Sequence, residues 1–208
     1  MTTPVPDSLV ILLHGVGAFG YDLAPLGEAW RTALPRTAFA APDAPSAFDQ
    51  GQGRQWFSIK AVTPANRPER VAAARPAFDA VLTSIIADHG FGGRLDRVAL
   101  VGFSQGAIMA LDALASGRWP APGIVGLSGR LATPAPLNPA RATPLLLVHG
   151  GADPVIPPAE TIQAATTLRA AGVAVESHVL PGVGHVVAPE AAGLAARFLA
   201  AVLGPAAS

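Results

Sequence analysis

Residues 102–106 read Gly-Phe-Ser-Gln-Gly, directly after the apolar run Val98-Ala99-Leu100-Val101 and directly before a helical face. A serine in a G-x-S-x-G turn between strand and helix sits on a tight, strained backbone with its Oγ held out over the sheet edge. The following helix aims free N–H groups and the positive end of its dipole at the same point. Ser104 is therefore a candidate nucleophile for acyl transfer. With 22 glycines in the chain a chance match is the alternative, but chance does not supply the strand before and the helix after.

A serine hydroxyl is a weak nucleophile unless a base takes its proton, and the base needs a carboxylate to orient it. After such a turn the acid comes next in the chain, and the histidine last. Beyond Ser104 lie His149, His178 and His185. His178 falls in the alternating run 174–180, which suits a strand; His149 closes an apolar run ahead of Gly150-Gly151, which suits a structural part in a turn. His185, in Pro181-Gly182-Val183-Gly184-His185, lies on a glycine-rich loop that can carry a base. For the acid, Asp153 stands just past the apolar run 145–148, and Pro154 holds it in extended backbone. An Asx turn before proline is the plainer reading of the same residue. Glu160 follows Pro157-Pro158 as a solvated first-turn residue favourable to a helix dipole, and Glu176 sits mid-strand. The candidate triad is Ser104, Asp153 and His185.

Acyl transfer also requires two donors for the developing oxyanion: the N–H after the nucleophile and one from the loop after the first strand. These are the backbone N–H groups of Gln105 and, in Leu13-His14-Gly15-Val16-Gly17, of Val16, with Gly17 as the alternate. Both act through backbone, so this role constrains their side chains weakly.

Such loops need a scaffold that gathers strand ends. Apolar, β-branched runs at 8–13, 37–40, 97–103, 123–127, 145–149 and 173–180 alternate with stretches of helical spacing. Those stretches are Leu23, Leu26, Trp30, Leu34; Phe78, Val81, Leu82, Ile85, Ile86; Ile108, Leu111, Leu114; and the Ala-rich 191–203, ended by Gly204-Pro205. The alternation predicts an α/β fold with a mostly parallel sheet covered by helices on both faces. One domain over residues 1–208 suffices to bury the core. Pro76 predicts a kink in the helix ahead of Gly90, or its start. Segment 41–68, with Pro42, Pro45, Pro64 and Pro68 and no sustained periodicity, reads as a long functional loop too short for a large cap. Its Phe48, Trp56, Phe57, Ile59 and Val62 offer apolar area for a shallow groove. Trp56 and Phe57 are the candidate substrate-pocket wall, with core packing the alternative. Segment 132–144 is a Pro-rich loop between strands.

Two other functions compete. Gly15, Gly17 and Gly20 form G-x-G-x-x-G after a strand, and Asp43 stands where a ribose-binding acid would, as in a dinucleotide-binding oxidoreductase. That motif needs its helix to begin inside the glycine run, whereas helical spacing here begins near Leu23 with Pro25 in the first turn. It also leaves Ser104, Asp153 and His185 unexplained. A non-catalytic binding protein on a hydrolase scaffold is the third reading, and its usual sign, a lost triad residue, is missing.

Composition narrows the classes further. Hydrophobic residues at 50% against 13% charged exclude a disordered chain. Fourteen basic against fourteen acidic residues, with no basic cluster, exclude the electrostatic footprint of nucleic-acid binding. The absence of cysteine excludes a thiolate nucleophile and Cys-ligated metal. Residues 1–7 carry no basic n-region and run 9–13 is too short for a span, so a soluble, cytoplasmic protein without a membrane span is expected, a monomer or weak homodimer.

With these residues placed, the chain resembles the phospholipase/carboxylesterase family of α/β-hydrolases nearly end to end. The matching pieces are Leu13-His14-Gly15-Val16-Gly17, Ala41-Pro42-Asp43-Ala44-Pro45, Trp56-Phe57, Gly102-Phe103-Ser104-Gln105-Gly106, Leu127-Ser128-Gly129, the run from His149 to Pro157, and Gly182-Val183-Gly184-His185. The serine motif together with the later His-Gly-x-x-Asp-Pro-Val is the specific part. The resemblance implies a metal-free, cofactor-free serine carboxylesterase acting on a small-molecule acyl ester of short to medium chain, with thioesters and lysophospholipids open as substrates, and a triad at Ser104, Asp153 and His185. Members often carry an acidic residue where this chain has Ala18-Phe19 and an Asp where it has Ser58, both expected near the pocket mouth.

Overall fold

Along the first strand, β1 (Ser8–Leu13), successive apolar side chains divide between two layers: Leu9, Ile11 and Leu13 enter one core, Val10 and Leu12 the other. All six residues of β1 are buried, which is why the run is continuously apolar rather than alternating. Around it stand β2 (Thr37–Ala40), β5 (Val98–Phe103), β6 (Ile124–Leu127), β7 (Leu145–Gly150) and β8 (Val175–Leu180), in the order β2-β1-β5-β6-β7-β8. Every pairing in this sheet is parallel. The computed structural model describes residues 5–204; residues 1–4 of the N-terminal reading, and Pro205, lie outside the described residues.

Five α-helices cover the sheet: α1 (Ala24–Trp30), α2 (Arg67–Asp88), α3 (Gln105–Ala115), α4 (Ala159–Ala170) and α5 (Pro189–Leu203). Phe78 and Leu82 of α2, Met109 and Leu114 of α3, and Ala164 and Leu168 of α4 pack with Leu9 and Ile11. Trp30 of α1 and Ala195 and Leu199 of α5 pack with Val10 and Leu12 on the other face. Helix α3 is buried along its whole length, as a helix apolar all round must be. Its one carboxylate, Asp112, is fully buried and takes bidentate hydrogen bonds from Arg75 (2.9 and 2.8 Å) and a third from Arg118 (2.9 Å).

Segment 41–68 is more ordered than its composition suggests. It contains a short antiparallel hairpin, β3 (Ser46–Ala47) with β4 (Arg54–Gln55), and its end already belongs to α2. That helix neither starts at Pro76 nor stops there: it begins at Arg67 and carries Pro76 inside. Proline removes one backbone donor, but the turn before it is held by Val71, fully buried in the core, and by Arg75 on Asp112.

Because the six strands run the same way, their carboxyl ends lie along one edge, the usual place for a ligand in an open α/β sheet. The loops after β1, β5, β7 and β8 all rise there, and they carry Val16, Ser104, Asp153 and His185 respectively.

The Asp112 cluster fixes α2 against α3, and so fixes the helix that starts at Ser104. Burial raises the Asp112 pKa, but the bonds from Arg75 and Arg118 outweigh it and hold it below the ordinary value. Asp112→Asn should therefore lose on the order of 3 kcal/mol at neutral pH, read by urea denaturation. Since the depressed carboxylate contributes stability only while ionised, the gap between wild type and variant should close as pH falls through and below the ordinary aspartate value.

Candidate active site

Ser104 occupies φ 53°, ψ −116°, a left-handed conformation that a side chain disfavours, between the last residue of β5 and the first of α3. Its N–H donates to the Leu127 carbonyl at 2.9 Å. The flanking glycines are required by backbone contact: a Cβ on Gly102 would come within 2.4 Å of the Gly106 carbonyl, and one on Gly106 within 2.0 Å of the Leu13 oxygen.

His185 Nε2 lies 2.9 Å from Ser104 Oγ, and its Nδ1 lies 2.6 Å from Asp153 Oδ2. The imidazole packs on the Phe103 ring at 5.0 Å between centroids. The Asp153 side chain is fully buried, and its Oδ1 accepts the N–H groups of Val155 (2.8 Å) and Ile156 (2.9 Å). Burial pushes the Asp153 pKa up, but the His185 hydrogen bond, these two amides and the neighbouring imidazole together hold it below the usual aspartate value. The two loops are tied by backbone: Gly151 N–H donates to Leu180 O (2.7 Å) and Ala152 N–H to Val183 O (2.8 Å). The approach is so close that a Cβ on Gly150 would meet the Gly184 oxygen at 2.3 Å.

Of the other two histidines beyond Ser104, neither is hydrogen-bonded to the serine, though His149 Nε2 also lies 3.2 Å from Asp153 Oδ2. His149 donates from Nε2 to the Ile156 carbonyl (2.9 Å) and accepts at Nδ1 from the Thr161 hydroxyl (2.7 Å), beneath the loop that carries Asp153. His178 lies on β8 with its Nε2 2.6 Å from Glu176. Glu160 is more than a first-turn solvated acid: it forms an ion pair with Arg130 at 3.0 Å.

Of the two candidate donors after β1, Gly17 N–H is already spent on the Arg54 carbonyl at 2.8 Å. The N–H groups of Val16 and Gln105 have no partner among the described residues. The loop between is pinned by His14, which is fully buried: Nδ1 donates to Gly15 O (2.7 Å) and Nε2 accepts the Ala44 N–H (2.9 Å). Burial lowers the His14 pKa against the pull of that carbonyl, which suits a ring that must accept at Nε2. The Gln105 side chain, left unconstrained by an oxyanion role, instead bridges two backbone groups, accepting Trp56 N–H (2.8 Å) and donating to Phe57 O (2.7 Å).

Beside Ser104 lies a cleft of about 230 Å³ lined by Val16, Phe57, Ile59, Val62, Ile108 and Ile156, with Arg67 and Arg130 at its wall. The expectation for Trp56 is corrected. It is 2% exposed, packs edge-on against Phe78, and donates its indole N–H to the His14 carbonyl at 2.9 Å, so it supports the loop after β1 from below and does not reach the cleft. Phe48 also misses the cleft and lies over Gly17. Neither Ala18, Phe19 nor Ser58 lines it: Phe19 stacks on Tyr21, and Ser58 donates to Asp49. In the glycine run after β1, Gly20 donates its N–H to Asp43 Oδ1 at 2.7 Å and packs so close to the Ala41 carbonyl that a Cβ would meet it at 1.9 Å.

A hydroxyl bonded to an imidazole that is itself held by a buried carboxylate can pass its proton to the ring and attack a carbonyl, with two free N–H groups beside it for the oxyanion. A model of the phospholipase/carboxylesterase family matches residues 4–203. Esterase YpfH of Escherichia coli is 32% identical over 181 residues, 87% of this chain and 77% of that protein. Acyl-protein thioesterase 1 of Gibberella zeae is 29% identical, covering 94% of this chain and 91% of that one. The crystal structure of esterase PE8 superposes with a TM-score of 0.85 at 34% identity, covering 97% of this chain and 95% of the other. The fold is that of the α/β-hydrolases. No helix among the described residues is long and apolar enough to cross a membrane.

The position of Trp56 carries a consequence for stability. Trp56→Ala should lose about 3–5 kcal/mol, because it leaves a cavity under the loop after β1 and orphans the His14 carbonyl. Phe57→Ala, at the cleft wall, should lose less in the same denaturation experiment.

Proposed function

Because the chain belongs to the phospholipase/carboxylesterase family, we propose that it is a serine carboxylesterase working through Ser104, His185 and Asp153. The observation that carries this is the continuous hydrogen-bonded line from Ser104 Oγ through His185 to Asp153, with Nε2 at 2.9 Å and Nδ1 at 2.6 Å. Ser104 Oγ attacks the acyl carbon while His185 Nε2 takes the Oγ proton. The carbonyl oxygen becomes an oxyanion, received by the N–H groups of Val16 and Gln105. His185 then gives its proton to the leaving oxygen, the acyl–oxygen bond breaks, and the alcohol departs. Water, deprotonated by the same imidazole, attacks the acyl-serine and releases the carboxylic acid. Asp153 accepts Nδ1–H throughout, which selects the neutral tautomer whose Nε2 is free to take the serine proton and stabilises the imidazolium once it has done so.

The substrate is a small ester of short to medium acyl chain. At about 230 Å³ the cleft falls below the roughly 300 Å³ at which drug-sized ligand pockets begin. Its lining of Phe57, Ile59, Val62 and Ile108 favours methylenes over polar groups, each worth about 0.8 kcal/mol when buried.

Ser104→Ala should abolish hydrolysis of p-nitrophenyl butyrate to within the residual rate that the oxyanion donors support. Asp153→Asn should leave the fold intact and cut turnover by roughly 10⁴. If Glu160→Gln instead has the larger effect, Asp153 is not the orienting acid. Across a chain-length series, kcat/KM should climb while the cleft fills and then level off; an optimum at palmitoyl length would contradict the shallow cleft.

A further inference from the structure

Arg67 is placed against ordinary electrostatics. It is the first residue of the 22-residue helix α2, where the positive end of the dipole disfavours a cation. Its side chain has neither an ion pair nor a hydrogen bond among the described residues, as is also true of the exposed Lys60, whereas Arg130, its neighbour on the cleft wall, pairs with Glu160, and Arg70 donates to the Ser58 carbonyl. Burial and then the neighbouring Arg130 both pull its pKa below the usual arginine value, and Glu160, already engaged by Arg130, is the acid that acts the other way.

Both arginines line the apolar cleft beside Ser104, and both also line an adjoining cavity of about 440 Å³. That second cavity adds Glu160, Gln163 and Thr133 to its wall and is the more polar of the two. The Arg130 side chain is 13% exposed, held in place by Glu160 at 3.0 Å. The apolar cleft beside the serine therefore runs to two guanidinium groups of which one alone, Arg130, is paired with a carboxylate. An unpaired cation costs stability where it stands, and local rules broken in this way concentrate at functional sites.

We propose that Arg67 and Arg130 form an anion subsite, so that the preferred substrates are esters carrying a carboxylate or phosphate a short apolar distance from the scissile carbonyl. The proposal rests on Ser104 as the reacting residue. Guanidinium forks match the planar oxygens of a carboxylate and bind them with charge-assisted hydrogen bonds. Glu160 orients Arg130 without neutralising the pair, leaving an excess positive charge for the ligand.

The test compares substrates within each variant. Mono-p-nitrophenyl adipate against p-nitrophenyl hexanoate, matched in chain length, places the anion on the acyl side; 4-acetoxybenzoate against phenyl acetate places it on the leaving side. In the wild type one charged member should lead its neutral partner in kcat/KM by about tenfold or more, and the lead should shrink with added salt. Arg67→Gln and Arg130→Gln should collapse that ratio, Arg67→Lys should restore part of it, and Arg31→Gln, an exposed arginine on α1's C-terminal side, should leave it alone. Calorimetry of adipate binding to Ser104→Ala, with and without Arg67→Gln, reads the subsite without turnover and should show binding weakened about tenfold. Charged-to-neutral ratios near one in both pairs, or ratios unmoved by either arginine substitution, would overturn the subsite. Such a result leaves ester hydrolysis standing as long as p-nitrophenyl hexanoate is cleaved by the wild type and not by Ser104→Ala. Failure to cleave any of the four esters overturns the hydrolase reading itself.

Discussion

The backbone of Ser104 is held at φ 53°, ψ −116°, and the upper edge of the molecule is arranged so that it cannot relax. Such a conformation costs of order 1–3 kcal/mol and persists only where its surroundings over-determine it. Here the Leu127 carbonyl takes its N–H, Gly102 and Gly106 let three backbone segments close to within a Cβ's width, and the helix that follows is buried on every side. Rotating Ser104 back to a relaxed conformation would mean moving α3, and α3 is pinned from within by Asp112 on Arg75 and Arg118. The placement of the Ser104 side chain is thus controlled by a buried ion cluster more than two turns along the helix.

The same reliance on backbone governs the residues around it. His185 reaches Ser104 because its loop is bonded to the loop of Asp153 through Gly151 and Ala152, and because Gly150 allows the two to touch. Val16 faces the site because His14, Trp56 and Gln105 tie the loop after β1 to the segment after β4. Side chains far apart in sequence thereby hold backbone donors still, which is what an oxyanion site requires, since donors that must reorganise during reaction stabilise charge poorly.

Sequence periodicity made the scaffold legible. β1 and β2 fall on residues 8–13 and 37–40 as the apolar runs predict, and the other four sheet strands begin or end within two residues of their runs. That Ser104, Asp153 and His185 come within hydrogen-bonding reach of one another was legible because glycine and proline spacing reports backbone shape directly. What stayed illegible depended on partners remote in the chain. An aromatic pair in a proline-rich segment can face a groove or a core, and Trp56 goes inward only because the His14 carbonyl and the Gln105 side chain wait there. Helix α2 passes through Pro76 because Val71 and Arg75 are anchored on the core, which no local rule foretells. Arg67 and Arg130 look like ordinary surface cations until the fold brings them to one wall.

Ester hydrolysis by this chain requires one hydroxyl, that of Ser104, to be made nucleophilic by His185 and by the turn that carries it. Stoichiometric labelling with a fluorophosphonate, followed by mass mapping of the modified peptide, measures this most directly. One phosphonyl group per chain is expected, on Ser104, and it should be lost in His185→Ala protein that remains folded. A label on another residue, or an esterase that stays active and unlabelled, would contradict it.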